Sequence, residues 1–131
     1  MSDPTQALSR VLGRGSAHEG AHHWRVQRVT AIALLLLVPW LLVCLARLPD
    51  LSWTTLNAWI AGLGHATLLV LLVLAASWHS QLGVQVVIED YVRGAARMVA
   101  LLVSTFLHVL LAAAGVLAVL RVALAAQSQG L

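Results

Sequence analysis

Three histidines lie inside long apolar stretches of the chain, His65, His79 and His108. Ionisable groups at such positions are rare and mark functional sites by default. If the second apolar segment is one unbroken helix, 100° per residue places His79 and Asp90 about 20° from a common direction and about 16 Å apart along the axis. Tyr91 is the next residue round. Gly83, about 40° from His79 and one turn on, leaves a gap beside the imidazole where a flat group can approach. A neutral imidazole in apolar surroundings suits axial ligation of a haem iron. The phenol and carboxylate suit a quinone, whose carbonyl needs a hydrogen-bond donor and whose reduction needs protons from water. Tyr91 can donate, and Asp90 with Arg93 can hold or relay a proton. A blander reading stands beside this one. A lone histidine can simply bond a neighbouring helix, and Glu89, Asp90 and Tyr91 can form an interfacial cap whose acids pair with Arg93 and Arg97.

The elements that must carry these residues are set by composition. The 131-residue chain is 60% hydrophobic and 10% charged, with a mean hydropathy of +0.89. Soluble domains are about 25% charged, so the arithmetic points to lipid as the solvent and excludes disorder. Eight arginines, no lysine and five acids are spread along the chain, which gives no basic patch for nucleic acid. One cysteine, Cys44, makes neither an internal disulfide nor a multi-thiolate metal site.

Three apolar segments predict an all-α membrane protein with three transmembrane helices, at about 29–48, 57–88 and 98–120. Pro39 falls inside the first, where a membrane helix tolerates it. Residues 1–28 read as a retained cytoplasmic arm and 122–131 as a periplasmic tail. Orientation follows from arginine placement: Arg10, Arg14, Arg25, Arg28, Arg93 and Arg97 on one side against Arg47 and Arg121 on the other. That bias puts the N-terminus in the cytoplasm and the C-terminus in the periplasm. Three helices with almost no soluble loop suit an anchor within a larger assembly rather than an enzyme on its own.

The run Trp78-His79-Ser80-Gln81-Leu82-Gly83 continuing to Glu89-Asp90-Tyr91-Val92 resembles the second-helix motif of the small hydrophobic membrane anchor of bacterial succinate dehydrogenase. Ser16-Ala17-His18-Glu19-Gly20, His23-Trp24 and Gln27-Arg28-Val29-Thr30-Ala31 are similar to the start of that family's first helix. The resemblance implies that His79 is one axial ligand of a b-type haem, the other coming from the larger, cytochrome b anchor of the same complex. It implies that Tyr91, with Asp90 beside it, binds the ubiquinone carbonyl. Arg28 would face the haem propionates or the quinone pocket, a task that suits a planar guanidinium. It further implies two soluble partners, an iron–sulfur protein and a succinate-oxidising flavoprotein, in a complex of the bacterial inner membrane. The flavin and clusters would belong to them.

Other residues read as packing. His65 faces the same way as His79 about 21 Å further along, a spacing that also fits a two-haem anchor assembly. His108 sits at a depth like that of His79 and reads as a helix contact, with in-chain bis-histidine ligation as the alternative. Gly62 and Ala66, and Ala75 and Ala76 with Ser80, let helices approach; Ser104 and Thr105 can bond their own backbone. His18, His22 and His23 read as solvated or as touching another chain of the complex. Two further functions remain open: the anchor of a fumarate reductase, and a non-redox assembly or transport component, which for a transporter predicts interrupted half-helices.

Overall fold

The computed structural model describes residues 17–128, with side chains described over 22–125. Four helices follow one another: α1 (Ala17–Ala46), α2 (Trp53–Ile60), α3 (Leu63–Tyr91) and α4 (Ala95–Ser128). No strand occurs among the described residues. Three stretches are long and apolar enough to cross a membrane, His22–Ala46, Leu63–Tyr91 and Ala95–Ala125. At 1.5 Å per residue they run about 38 to 46 Å, more than the ~30 Å hydrocarbon layer, so their ends reach the interfaces. α1 continues through Pro39.

The boundaries differ from the sequence-based expectation at three places. Residues 17–28 of the expected arm already belong to α1, and α4 runs on to Ser128; residues 1–16 and 129–131 lie outside the described residues. The sequence predicts a second span beginning near Asn57, but Asn57 falls in the separate helix α2 and α3 begins at Leu63. The reason is local hydrogen bonding. Ser52 caps α2, its hydroxyl accepting from the Thr55 N–H at 3.3 Å. Its own N–H donates to Asp50 Oδ1 at 2.9 Å. At the other end the Ala61 N–H bonds the Asn57 carbonyl at 2.9 Å, and Gly62 turns extended before α3 starts. α3 and α4 are joined by an equally tight turn, in which Gly94 adopts φ +66°, a conformation that favours a residue without a Cβ.

α3 is the central element. It packs against α1 on one side and α4 on the other, α2 touches α3 and α4, and α1 and α4 do not meet among the described residues. Few of the described residues are buried: Ala66, Leu82, Ala123 and the polar Thr30. Outward-facing leucine, valine and phenylalanine side chains suit a surface that meets lipid or another chain.

The α3–α4 seam combines close approach with polar contacts. A Cβ on Gly115 would lie 2.8 Å from Val73 Cγ1, so the glycine lets the two backbones draw together. Below it, Gln81 donates to Thr105 Oγ1 at 3.3 Å, and Gln85 donates to Glu89 at 3.0 Å. Glu89 meets Arg97 at 3.8 Å. At the opposite end, Trp40 of α1, Trp59 of α2 and His65 of α3 stack, with the Trp59 and His65 rings 4.7 Å apart.

Candidate functional site

α3 is unbroken from Leu63 to Tyr91, so the geometry expected of His79 and Asp90 holds: they share one side of the helix, about 16 Å apart along it. His79 is half-buried at the α1–α3 contact. Its Nδ1 lies 3.1 Å from Thr30 Oγ1 of α1. That hydroxyl also lies 2.9 Å from the Val26 carbonyl and 3.0 Å from the Gln27 carbonyl. His79 Nε2 has no hydrogen-bond partner among the described residues. A Cβ built on Gly83 meets nothing within 4 Å. An imidazole tethered through one nitrogen, with open space one turn away, fits a planar metal-bearing group approached from that side.

At the Tyr91 end of α3 the side chains stand apart. Asp90 and Tyr91 are exposed, Tyr91 at 82%, and neither bonds His79 or Arg28. Glu89, not Asp90, pairs with Arg97, so the cap reading accounts for Glu89 and leaves Asp90 and Tyr91 unengaged among the described residues. The Arg28 guanidinium lies 5.1 Å over the Trp24 ring, a cation–π contact. Arg28 is about 200° round α1 from Thr30, so the structure does not bring it to His79.

The other histidines have different surroundings. His108 Nδ1 lies 2.8 Å from the Ser104 carbonyl and its Nε2 3.2 Å from Ser80 Oγ. Both nitrogens are therefore engaged between α3 and α4, which fits the helix-contact reading and leaves no free atom for in-chain ligation. His65 Nδ1 lies 2.9 Å from the Trp59 carbonyl, and its ring is stacked on Trp59; a packing role accounts for it. His23 Nε2 is buried without a hydrogen-bond partner among the described residues, as is Ser104 Oγ. His18 lies outside the described side chains.

Sequence reasoning missed Thr30, although it is the only hydroxyl in the apolar stretch 29–46. It also missed the polar spacing of Gln81, Gln85 and Glu89, each one turn from the next. Thr105, expected to bond its own backbone, instead accepts from Gln81. Outside the spans, the Asp50 carboxyl is lowered to about 2 by hydrogen bonds from the Ser52 hydroxyl, the Thr55 side chain and the Ser52 backbone.

These features define a class: a three-span integral membrane protein with an imidazole held from one side at bundle depth and a phenol and carboxylate at the helix end. A model of the succinate dehydrogenase/fumarate reductase transmembrane subunit family matches residues 2–120. A succinate dehydrogenase hydrophobic membrane anchor subunit from Paracoccus denitrificans is 36% identical over 115 residues, covering 87% of this chain and 88% of that one. Proteins of the same description from Rickettsia bellii and Rickettsia conorii are 34% and 35% identical, each covering 65% of this chain and 68% of the relative. The chain belongs to the succinate dehydrogenase/fumarate reductase transmembrane subunit family.

Proposed function

We propose that this chain is the hydrophobic membrane anchor of a bacterial succinate:ubiquinone oxidoreductase. It holds an iron–sulfur protein and a flavoprotein at the cytoplasmic face of the inner membrane, beside a larger cytochrome b anchor. The arginine bias supports an N-terminus in the cytoplasm and a C-terminus in the periplasm, which sets Tyr91 on the side of the soluble partners. The chain is not an enzyme alone.

In this reading His79 Nε2 would hold the iron of a haem b shared with the larger anchor. When bound, that group would supply one-electron storage. Gly83 leaves the clearance for its plane. Tyr91 donates its phenolic proton in a hydrogen bond to the ubiquinone carbonyl, and Asp90 holds a proton at the boundary with water. Arg28 would serve a haem propionate or the quinone pocket. The single observation that carries the ligand assignment is the combination at α3: an imidazole bonded, among the described residues, only through Nδ1, next to the open space at Gly83. The spans are continuous helices, without the interrupted half-helices of a transporter. The family description also covers fumarate reductase, and the same site serves either direction.

The test uses the intact complex, captured through this chain in mild detergent. Succinate should produce a reduced b-haem spectrum. His79→Ala should abolish it, while His108→Phe should leave it in place. Tyr91→Phe should impair ubiquinone reduction in a complex that still assembles and still reduces an artificial acceptor with succinate. Normal ubiquinone turnover in that variant removes Tyr91 from the site.

A further inference from the structure

The Thr30–His79 contact decides which nitrogen of His79 is available. A threonine hydroxyl has one proton and two lone pairs. Thr30 Oγ1 sits within 3.0 Å of two carbonyls of its own helix, those of Val26 and Gln27. A threonine hydroxyl on a helix characteristically spends its proton on a carbonyl three or four residues back. A lone pair then faces His79 Nδ1 at 3.1 Å, and a nitrogen facing a lone pair must carry the hydrogen. The chain runs His79 Nδ1–H to Thr30 Oγ1, then Thr30 Oγ–H to a main-chain carbonyl. In the neutral ring the other nitrogen, Nε2, bears the lone pair.

We propose that Thr30 is a positioning residue that fixes His79 as the Nδ1–H tautomer and sets the ring's rotation, so that Nε2 is presented as a ready ligand. This rests on the reading of His79 as the haem ligand. Two observations strengthen it. Thr30 is the one polar residue classed as buried among the described residues, so its hydroxyl meets little water. It also comes from a different helix than the histidine, which makes the α1–α3 packing itself part of the ligand geometry. Partners of this kind orient metal-bound histidines and raise their basicity, and their loss weakens metal affinity about 10- to 100-fold.

Thr30→Val keeps shape and removes the acceptor; Thr30→Ser keeps the acceptor and trims a methyl. The assay uses the assembled complex and follows haem transfer to an excess of apomyoglobin, the midpoint potential, and the low-spin EPR signal. Thr30→Val should weaken haem retention about 10- to 100-fold, shift the potential upward as the ligand becomes a poorer electron donor, and broaden the low-spin signal. Thr30→Ser should stay within about threefold of the parent. Retention in Thr30→Val equal to the parent, or an equal loss in both variants, overturns the proposal, because the hydroxyl would then not matter. If Thr30→Val does not assemble, 15N-histidine spectra of the haem-free parent complex decide: an Nδ1–H ring at His79 supports it, and an Nε2–H ring refutes it. A His79→Ala complex that keeps its haem defeats the ligand reading instead, and leaves the tautomer result to be judged by the spectra alone.

Discussion

Gly115→Ala, taken with Val73→Ala, tests whether the α3–α4 seam depends on close backbone approach. The added methyl at 115 would lie 2.8 Å from Val73 Cγ1 and 3.4 Å from Cγ2. Carbon atoms pack best at about 3.5–4.0 Å, so the nearer contact demands a retreat of about 0.7 Å. Valine on a helix has one strongly preferred rotamer and cannot swing aside, so the helices must separate. Overpacking of this kind costs about 1–3 kcal/mol. Against it stands the better helix propensity of alanine, about 1 kcal/mol. The net expectation is destabilisation by about 1 kcal/mol. With Val73 already cut to alanine both Cγ atoms are gone, the remaining Cβ sits at an ordinary 3.8 Å, and the same substitution should stabilise by about 1 kcal/mol. The coupling between the two changes is therefore about 2 kcal/mol, within the range measured for touching residues. Far-UV circular dichroism during titration with a denaturing detergent reads all four proteins of the cycle. Additivity within about 0.5 kcal/mol would falsify the close-approach argument.

Gly83 should behave in the opposite way, because a side chain there meets open space in the chain itself. Gly83→Leu is expected to leave assembly intact and to weaken haem retention about 5- to 150-fold, the equivalent of an overpacking cost of about 1–3 kcal/mol falling on the bound group; haem-to-flavin ratios after apomyoglobin challenge measure it. Asp50 supplies a pH signature. Its folded-state pKa is depressed to about 2, so its stabilisation of the α2 cap is present above the ordinary carboxylate range and lost as pH falls from about 4 towards about 2. Asp50→Asn should therefore loosen the Trp53–Ile60 turn at pH 7, seen as faster amide exchange relative to the parent, with the difference shrinking as pH falls towards about 2 and vanishing only below it.

How much of this was legible depends on what kind of information each feature needs. The three spans follow from apolar length alone, because lipid demands about 20 residues per crossing whatever the helices touch. The alignment of His79 with Asp90 follows from the helical repeat and needs only an unbroken α3. The break between α2 and α3 was not legible, because residues 51–88 carry no charge to mark it; the signals were Ser52 and Gly62, both small and ordinary. Nor did the sequence indicate which side of α1 meets α3. In a soluble helix the apolar stripe answers that question, but over residues 29–46 of α1 nearly every side chain is apolar and periodicity is silent. The one polar side chain in the run, Thr30, was the available clue. For the same reason the Gln81, Gln85 and Glu89 ladder passed as filler, though its four-residue spacing puts it on a different side of α3 from His79.

Because α1 and α4 touch α3 but, among the described residues, not each other, the order in which the chain is made has a structural meaning. A ribosome that has released Tyr91 into the membrane has already delivered both halves of the Thr30–His79 pair. Nothing in that pair waits for α4. The last helix arrives afterwards and docks on the far side of α3, where His108 finds Ser80 and Gln81 finds Thr105. A chain stopped after the Gly94 turn would still own its candidate ligand, correctly tethered, while lacking the seam that steadies the helix bearing it.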